Sequence, residues 1–142
     1  MKKIIFVMSM MAVLFVFEAC KPKSEPQNEF ISIHNSRNSL DWNGVYAGIL
    51  PRADCSGISV QITLNLDETY SLTFQYLDRD EAPVSVSGVF IWNEAGGIIT
   101  LDNSSLPPHY KVGENRLIQL DLDGNLITGE FADKYVLEKV VL

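Results

Sequence analysis

The side chains best suited to nucleophilic, redox or metal chemistry in this 142-residue chain are two cysteines, two histidines and a group of aspartates near residue 121. Cys20 follows Phe17-Glu18-Ala19, and Cys55 closes the run Arg52-Ala53-Asp54-Cys55. Cys55 offers one soft metal ligand, one redox-reactive thiol, an intermolecular bridge or an inert buried side chain, and the last is the expectation. His34 and His109 lack the spacing that brings two imidazoles onto one ion, so both are expected in exposed loops, with a joint Cys55–His109 site as the competing reading. Asp121-Leu122-Asp123-Gly124-Asn125 opens like a calcium loop, but Leu126 stands where glycine is required and Ala132 where the bidentate glutamate is required. A hairpin turn is the expectation there. No nucleophile motif, phosphate-cradling glycine loop or His/carboxylate pairing is present, and the chain reads as no enzyme.

Charge narrows the partners. The chain carries 11 basic against 18 acidic residues, a formal −7, and phosphate backbones require clustered Lys/Arg that it lacks. Nucleic acid is excluded as a partner. With 46% apolar residues the chain can bury a core, and its length suits one domain with appendages.

Lys2 and Lys3 precede Ile4 to Phe17, an apolar run interrupted only by Ser9. It is short of the about 20 residues that cross a bilayer and fits a secretory signal, with an uncleaved anchor as the alternative. Ala19-Cys20 resembles the lipobox of bacterial lipoproteins, whose cysteine is acylated and becomes the first residue; Phe17 and Glu18 depart from that pattern. The resemblance makes Cys20 the lipidation site, carrying palmitate, and residues 1–19 a lipoprotein signal peptide. All four methionines leave with it, and with them the thioether ligands a soft metal favours. Residues 20–41, with Pro22, Pro26 and many Ser and Asn, read as the lipidated Cys and a flexible tether of roughly 25 Å reach. Phe30 to Ile33 could instead dock as an extra strand.

From Trp42 the period is two. Ile58, Val60, Ile62, Leu64 and Leu66 alternate with polar residues, then Tyr70, Leu72, Phe74 and Tyr76 do so beyond a turn at Asp67-Glu68-Thr69. Further strands are expected at 44–50, 84–92, 98–101, 110–112, 116–120, 126–130 and 134–141. Short loops exclude parallel crossovers. The expected fold is all-β: an antiparallel up-and-down meander closing into a small barrel of about eight strands over 42–142. Trp42, Tyr46, Phe74, Tyr76, Phe90 and Trp92 are expected to fill its core; a ligand cavity is the competing reading.

Tyr46-Ala-Gly48-Ile-Leu50-Pro51-Arg52-Ala53-Asp54-Cys55-Ser-Gly57-Ile58 resembles the signature of the N-terminal domain of the NlpE family, where Gly-x-Leu-Pro runs into Cys-Ala-Asp-Cys-x-Gly-Ile. The likeness continues through Leu64 to Tyr70, Gly88 to Trp92, Ile99 to Leu101, Tyr110 to Leu117 and Tyr135 to Leu137, covering about 43–139. It implies a lipocalin-like barrel, lipid-anchored in the outer membrane and facing the periplasm, and no enzymatic activity. The implied role is copper resistance and envelope or surface-contact stress sensing through a periplasmic signalling protein. The family's larger members add a C-terminal OB-like domain, which this chain is expected to lack. Arg52 replaces the family's first cysteine, which leaves Cys55 as the sole metal candidate of the motif, for copper as cofactor. A carrier of a small apolar ligand is the alternative function.

Overall fold

The computed structural model describes residues 35–141. Cys20, His34 and the stretch Phe30 to Ile33 lie outside the described residues. Eight strands form one closed antiparallel barrel in chain order: β1 (Gly44–Leu50), β2 (Ile58–Leu64), β3 (Thr69–Tyr76), β4 (Val84–Trp92), β5 (Ile98–Leu101), β6 (His109–Gly113), β7 (Arg116–Gln119) and β8 (Val136–Lys139). The expected all-β meander is therefore the observed fold.

Alternation produces the barrel. In β2 the apolar residues Ile58, Val60, Ile62 and Leu64 are buried while Ser59 and Gln61 are exposed. Registering Ile62 against both Tyr46 and Leu72 stacks these side chains on one inner face. Tyr46, Ile62, Leu72, Ile99, Tyr110, Leu117 and Leu137 are each at 0% exposure, so side chains fill the barrel axis. Burying each large apolar side chain contributes about 1.5–3 kcal/mol. Trp42, Phe90 and Trp92 pack edge to face, with centroids 5.4–6.2 Å apart. Of the aromatics expected in the core, Tyr76 and Trp92 are only partly buried.

Closure comes from β1 against β8, through Tyr46↔Lys139 and Ala47↔Glu138. Gly48 permits the approach, since a Cβ there would lie 2.9 Å from the Val136 carbonyl oxygen and 3.2 Å from the Leu137 side chain.

One end of the barrel is covered by a short helix, α1 (Ser36–Ser39), capped by the Asn35 side chain. Ser36 Oγ donates to the Val112 carbonyl, the Arg37 N–H to the Gly96 carbonyl, and Arg37 Nη2 pairs with Glu68 at 2.8 Å. The folded body thus begins before the boundary expected at Trp42, and residues 35–41 are not tether. Helix-forming Ser and Asn residues give no apolar periodicity by which α1 could be read.

Three strand expectations change. Leu66 is 73% exposed in a turn over Asn65–Glu68 and not part of β2, because Glu68 adopts φ 64° and the Asn65 N–H bonds the Thr69 carbonyl. The stretch 126–130 is no strand: Leu126 makes only an isolated bridge to Leu120, and the chain turns at Gly129 (φ 109°) into a 3₁₀ turn, Ala132–Lys134. That turn also shortens the last strand to Val136–Lys139.

Candidate functional site

The motif residues occupy the other end of the barrel, where loops 51–57, 77–83, 102–108 and 120–135 gather. Pro51 ends β1, having no N–H for the ladder. The loop that follows returns at Gly57, which has φ +143° and where a Cβ would lie 2.8 Å from Ile49 Cγ2. Glycine is required there both for the left-handed backbone and for space.

Within this loop Asp54 is held from two sides. Arg52 Nε donates to Oδ1 at 2.8 Å and Arg79 Nη2 donates to Oδ2 at 2.9 Å. The two guanidiniums also lie over the Tyr76 ring, at 5.1 and 4.9 Å from its centroid. Ser56 donates its hydroxyl to Asp78, and the Leu77 N–H donates to the Gly57 carbonyl at 3.0 Å. The β1–β2 loop is thereby tied to the β3–β4 loop. Partial desolvation pushes the Asp54 carboxyl up, but the Arg52 hydrogen bond and the charges of Arg52 and Arg79 outweigh it and hold the group below the usual carboxylate range. The same hydrogen bond raises Arg52 further.

Cys55 is half-buried, and its thiol donates to the Gly57 carbonyl at 3.2 Å. The copper that the resemblance implies does not fit these residues. Position 52 supplies a cation, Asp54 is neutralised by two arginines, and among the described residues no three His, Cys, Asp or Glu side chains gather to hold an ion. His109 is not in a loop: it opens β6, and its Nδ1 is 2.9 Å from the Thr100 hydroxyl. Cys55 and His109 therefore each engage a different partner, and neither engages the other. Asp121 accepts from the Asp123 and Asn125 N–H groups at 2.9 and 2.8 Å, so its carboxylate closes a turn, as expected for that stretch.

Beside the motif loop lies a cavity of about 440 Å³ between Pro51-Arg52 and the segment carrying Phe131, Lys134 and Tyr135. A neighbouring space of about 350 Å³ shares Leu50, Pro51, Arg52 and Tyr135 with it. Both sit at the rim, outside the filled axis. Sequence reasoning found the motif loop and missed its clamp, Tyr76, Asp78 and Arg79. The hairpin register was the available signal, because Ile58↔Tyr76 puts residue 57 beside residue 77.

A profile of the NlpE N-terminal domain matches residues 46–130, which runs from the middle of β1 through the rim segment after β7. The chain belongs to the NlpE N-terminal domain family. It is 27% identical to Lipoprotein NlpE of Escherichia coli K12 over 133 residues, covering 93% of this chain and 56% of that one. The chain therefore spans just over half the length of that relative. A crystal structure of a putative lipoprotein from Shewanella oneidensis is similar at 47% identity and TM-score 0.68, covering 74% of this chain and 94% of that one. The crystal structure of the Cpx pathway activator NlpE from Escherichia coli is similar at 26% identity and TM-score 0.50, covering 62% of this chain and 47% of that one. Within the NlpE family signature, the position where this chain carries Arg52 is the one that feeds the Asp54 clamp.

Proposed function

We propose that this domain is a lipid-tethered envelope protein, held in the outer membrane through Cys20 and facing the periplasm, whose surface is recognised by a periplasmic signalling protein. In this reading it contributes to envelope-stress sensing and copper resistance by being present and recognised, with no catalytic step and no copper held at Cys55. The observation that carries it is the NlpE match over 46–130 laid on a barrel whose axis is filled. With the interior occupied, the outer surface and rim are what a partner reads. The Escherichia coli relative bears the description Cpx pathway activator, and the proposal extends that role to this chain. The test is deletion of the gene in its host, complemented with wild type or Cys20→Ala. Envelope-stress reporter output and growth in copper should both depend on the gene, and the Cys20→Ala form should change the reporter without restoring normal localisation. No change in either readout on deletion overturns the proposal.

The rim cavity favours a second reading, a carrier of a small amphiphile. Its volume of about 440 Å³ falls in the usual range for small-molecule sites, and Lys134 adds a cation to walls made by Ile49, Leu50 and Phe131. Native mass spectrometry of residues 21–142 decides it: a co-purifying lipid mass lost in Phe131→Asp supports the carrier, and a bare polypeptide mass overturns it.

A further inference from the structure

The barrel closes around β4 incompletely. Strand β5 covers only Phe90, Ile91 and Trp92, through pairs with Leu101, Thr100 and Ile99, while β3 pairs with the whole of Val84–Val89 on the other side. The Phe90 N–H donates to the Glu68 carbonyl on the β3 side. Val89 turns the opposite way: its carbonyl accepts from the Asp102 N–H at 3.1 Å, and its N–H donates to Asp102 Oδ1 at 3.1 Å. Backbone direction alternates along a strand, so Ser87 and Ser85 present their N–H and C=O groups to the same side as Val89. Among the described residues no strand pairs with them there. Among the described residues, two donors and two acceptors of a sheet edge are left without a strand partner between Pro83, which has no N–H, and the Asp102 cap.

The inner face beneath this edge is open too. Val84 is registered against buried Phe74 and Val86 against buried Leu72, so both valines belong to the core-facing row. Even so, Val84 is 43% exposed and Val86 only half-buried, because among the described residues no strand runs beside them where the next strand of a fully paired barrel would lie. Charge specifies the occupant. Asp80 and Glu81 precede the edge and Asp102 follows it, all three exposed, while the nearby Arg79 is committed to Asp54. Pairing with a second copy about Val86 would place Ser85 opposite Ser87 and bring Asp102 of each copy toward Glu81 of the other, a like-charge contact.

We propose that the β4 edge at Ser85–Ser87 receives an extended segment of a partner polypeptide, basic at its ends and with an apolar residue over Val84 and Val86, as an added strand. This deepens the sensor reading by naming the surface a protein partner would use. The probe is the peptide Lys-Thr-Val-Thr-Val-Thr-Lys, titrated into the isotope-labelled full chain in detergent micelles and followed by NMR. Amide shifts should concentrate at Ser85, Ser87 and Val89, with methyl shifts at Val84 and Val86. Ser87→Pro removes an edge donor that β3 does not use, and should weaken the peptide about five- to tenfold, whereas Ser87→Ala should leave it unchanged. Should Ser87→Pro perturb the fold, the wild-type chain with a peptide N-methylated on its edge-facing amides tests the same bonds, and its binding should be lost. A peptide with Glu in place of Lys should bind more weakly. Shifts centred elsewhere, or equal binding of the N-methylated peptide, overturn the proposal. Such a result with a stress reporter that still depends on the gene removes this edge alone, and a reporter indifferent to the gene removes the sensor reading alone.

Discussion

Arg79, in the loop after β3, places its Nη2 2.9 Å from Oδ2 of Asp54, in the loop after β1, across 25 positions of chain. Arg52 takes the other carboxylate oxygen, so the residue that replaces a motif cysteine holds the motif loop through charge.

Asp54→Asn should therefore loosen residues 51–57 without unfolding the barrel. Amide exchange in that loop is expected to rise several-fold while the melting temperature stays close to wild type, since exposed ion pairs contribute little to global stability. The pH dependence has a definite sign. The folded carboxyl lies below its ordinary value of 3.8, so the clamp is fully present above pH 3.8 and is lost as pH falls through the lower folded value. An NMR pH titration should show the loop shifts constant from neutrality to about pH 4, then moving together. Loop shifts that move at higher pH would count against the clamp.

The closing seam should be the sensitive one. Leu137 is at 0% exposure on β8, and Leu137→Ala is expected to cost about 2–5 kcal/mol in chemical denaturation. Gly48→Ala pushes a Cβ against the Val136 carbonyl and should cost about 1–3 kcal/mol, with exchange rising first at Tyr46, Ala47 and Glu138.

Alkaline titration should separate the tyrosines. Burial pushes Tyr110 up to about 12, and burial with the Asp41 charge does the same to Tyr46. Both raised groups contribute stability that is complete below the unfolded value of 10.0 and is lost as pH rises toward about 12. Ultraviolet titration is expected to show these two phenols ionising only as the barrel unfolds. Tyr46→Phe removes the buried 2.7 Å hydrogen bond that the phenol donates to the Trp42 carbonyl and should cost about 1 kcal/mol.

Copper uptake should not depend on the lone thiol. Cu(I) titration is expected to give the same result for wild type and Cys55→Ser, because the Cys55 thiol is engaged with the Gly57 carbonyl and no three His, Cys, Asp or Glu side chains gather to hold an ion among the described residues. Arg52→Cys restores two thiols spaced by two residues and should add uptake that Cys55→Ser then abolishes. Stoichiometric uptake by wild type that is lost in Cys55→Ser would contradict the fit drawn from the site.

Labelled palmitate should enter wild type and not Cys20→Ala, with the acylated form in the membrane fraction. A wild-type chain free of label and recovered in the soluble fraction would remove the anchor on which the sensor reading rests.

Much of this protein was legible in one dimension. The alternation in 58–64 and 69–76, the short turns and the aromatic residues determined strands, their antiparallel order and a filled barrel, because side-chain direction along a strand depends only on parity. The motif falls on the loop Pro51–Gly57, bounded by a proline stop and a glycine return. Three-dimensional folding decided what lies side by side across long separations. It set the β1–β8 seam, the Asp54–Arg79 clamp, the packing of α1 on Gly96 and Val112, and the rim course of 126–130, whose apolar residues read as strand until Gly129 turns them away. It also left Ser85–Ser87 without a β5 partner, since β5 has only the length to cover Phe90–Trp92. Those outcomes follow from registers and loop lengths summed around a closed sheet, which no single segment of the chain contains.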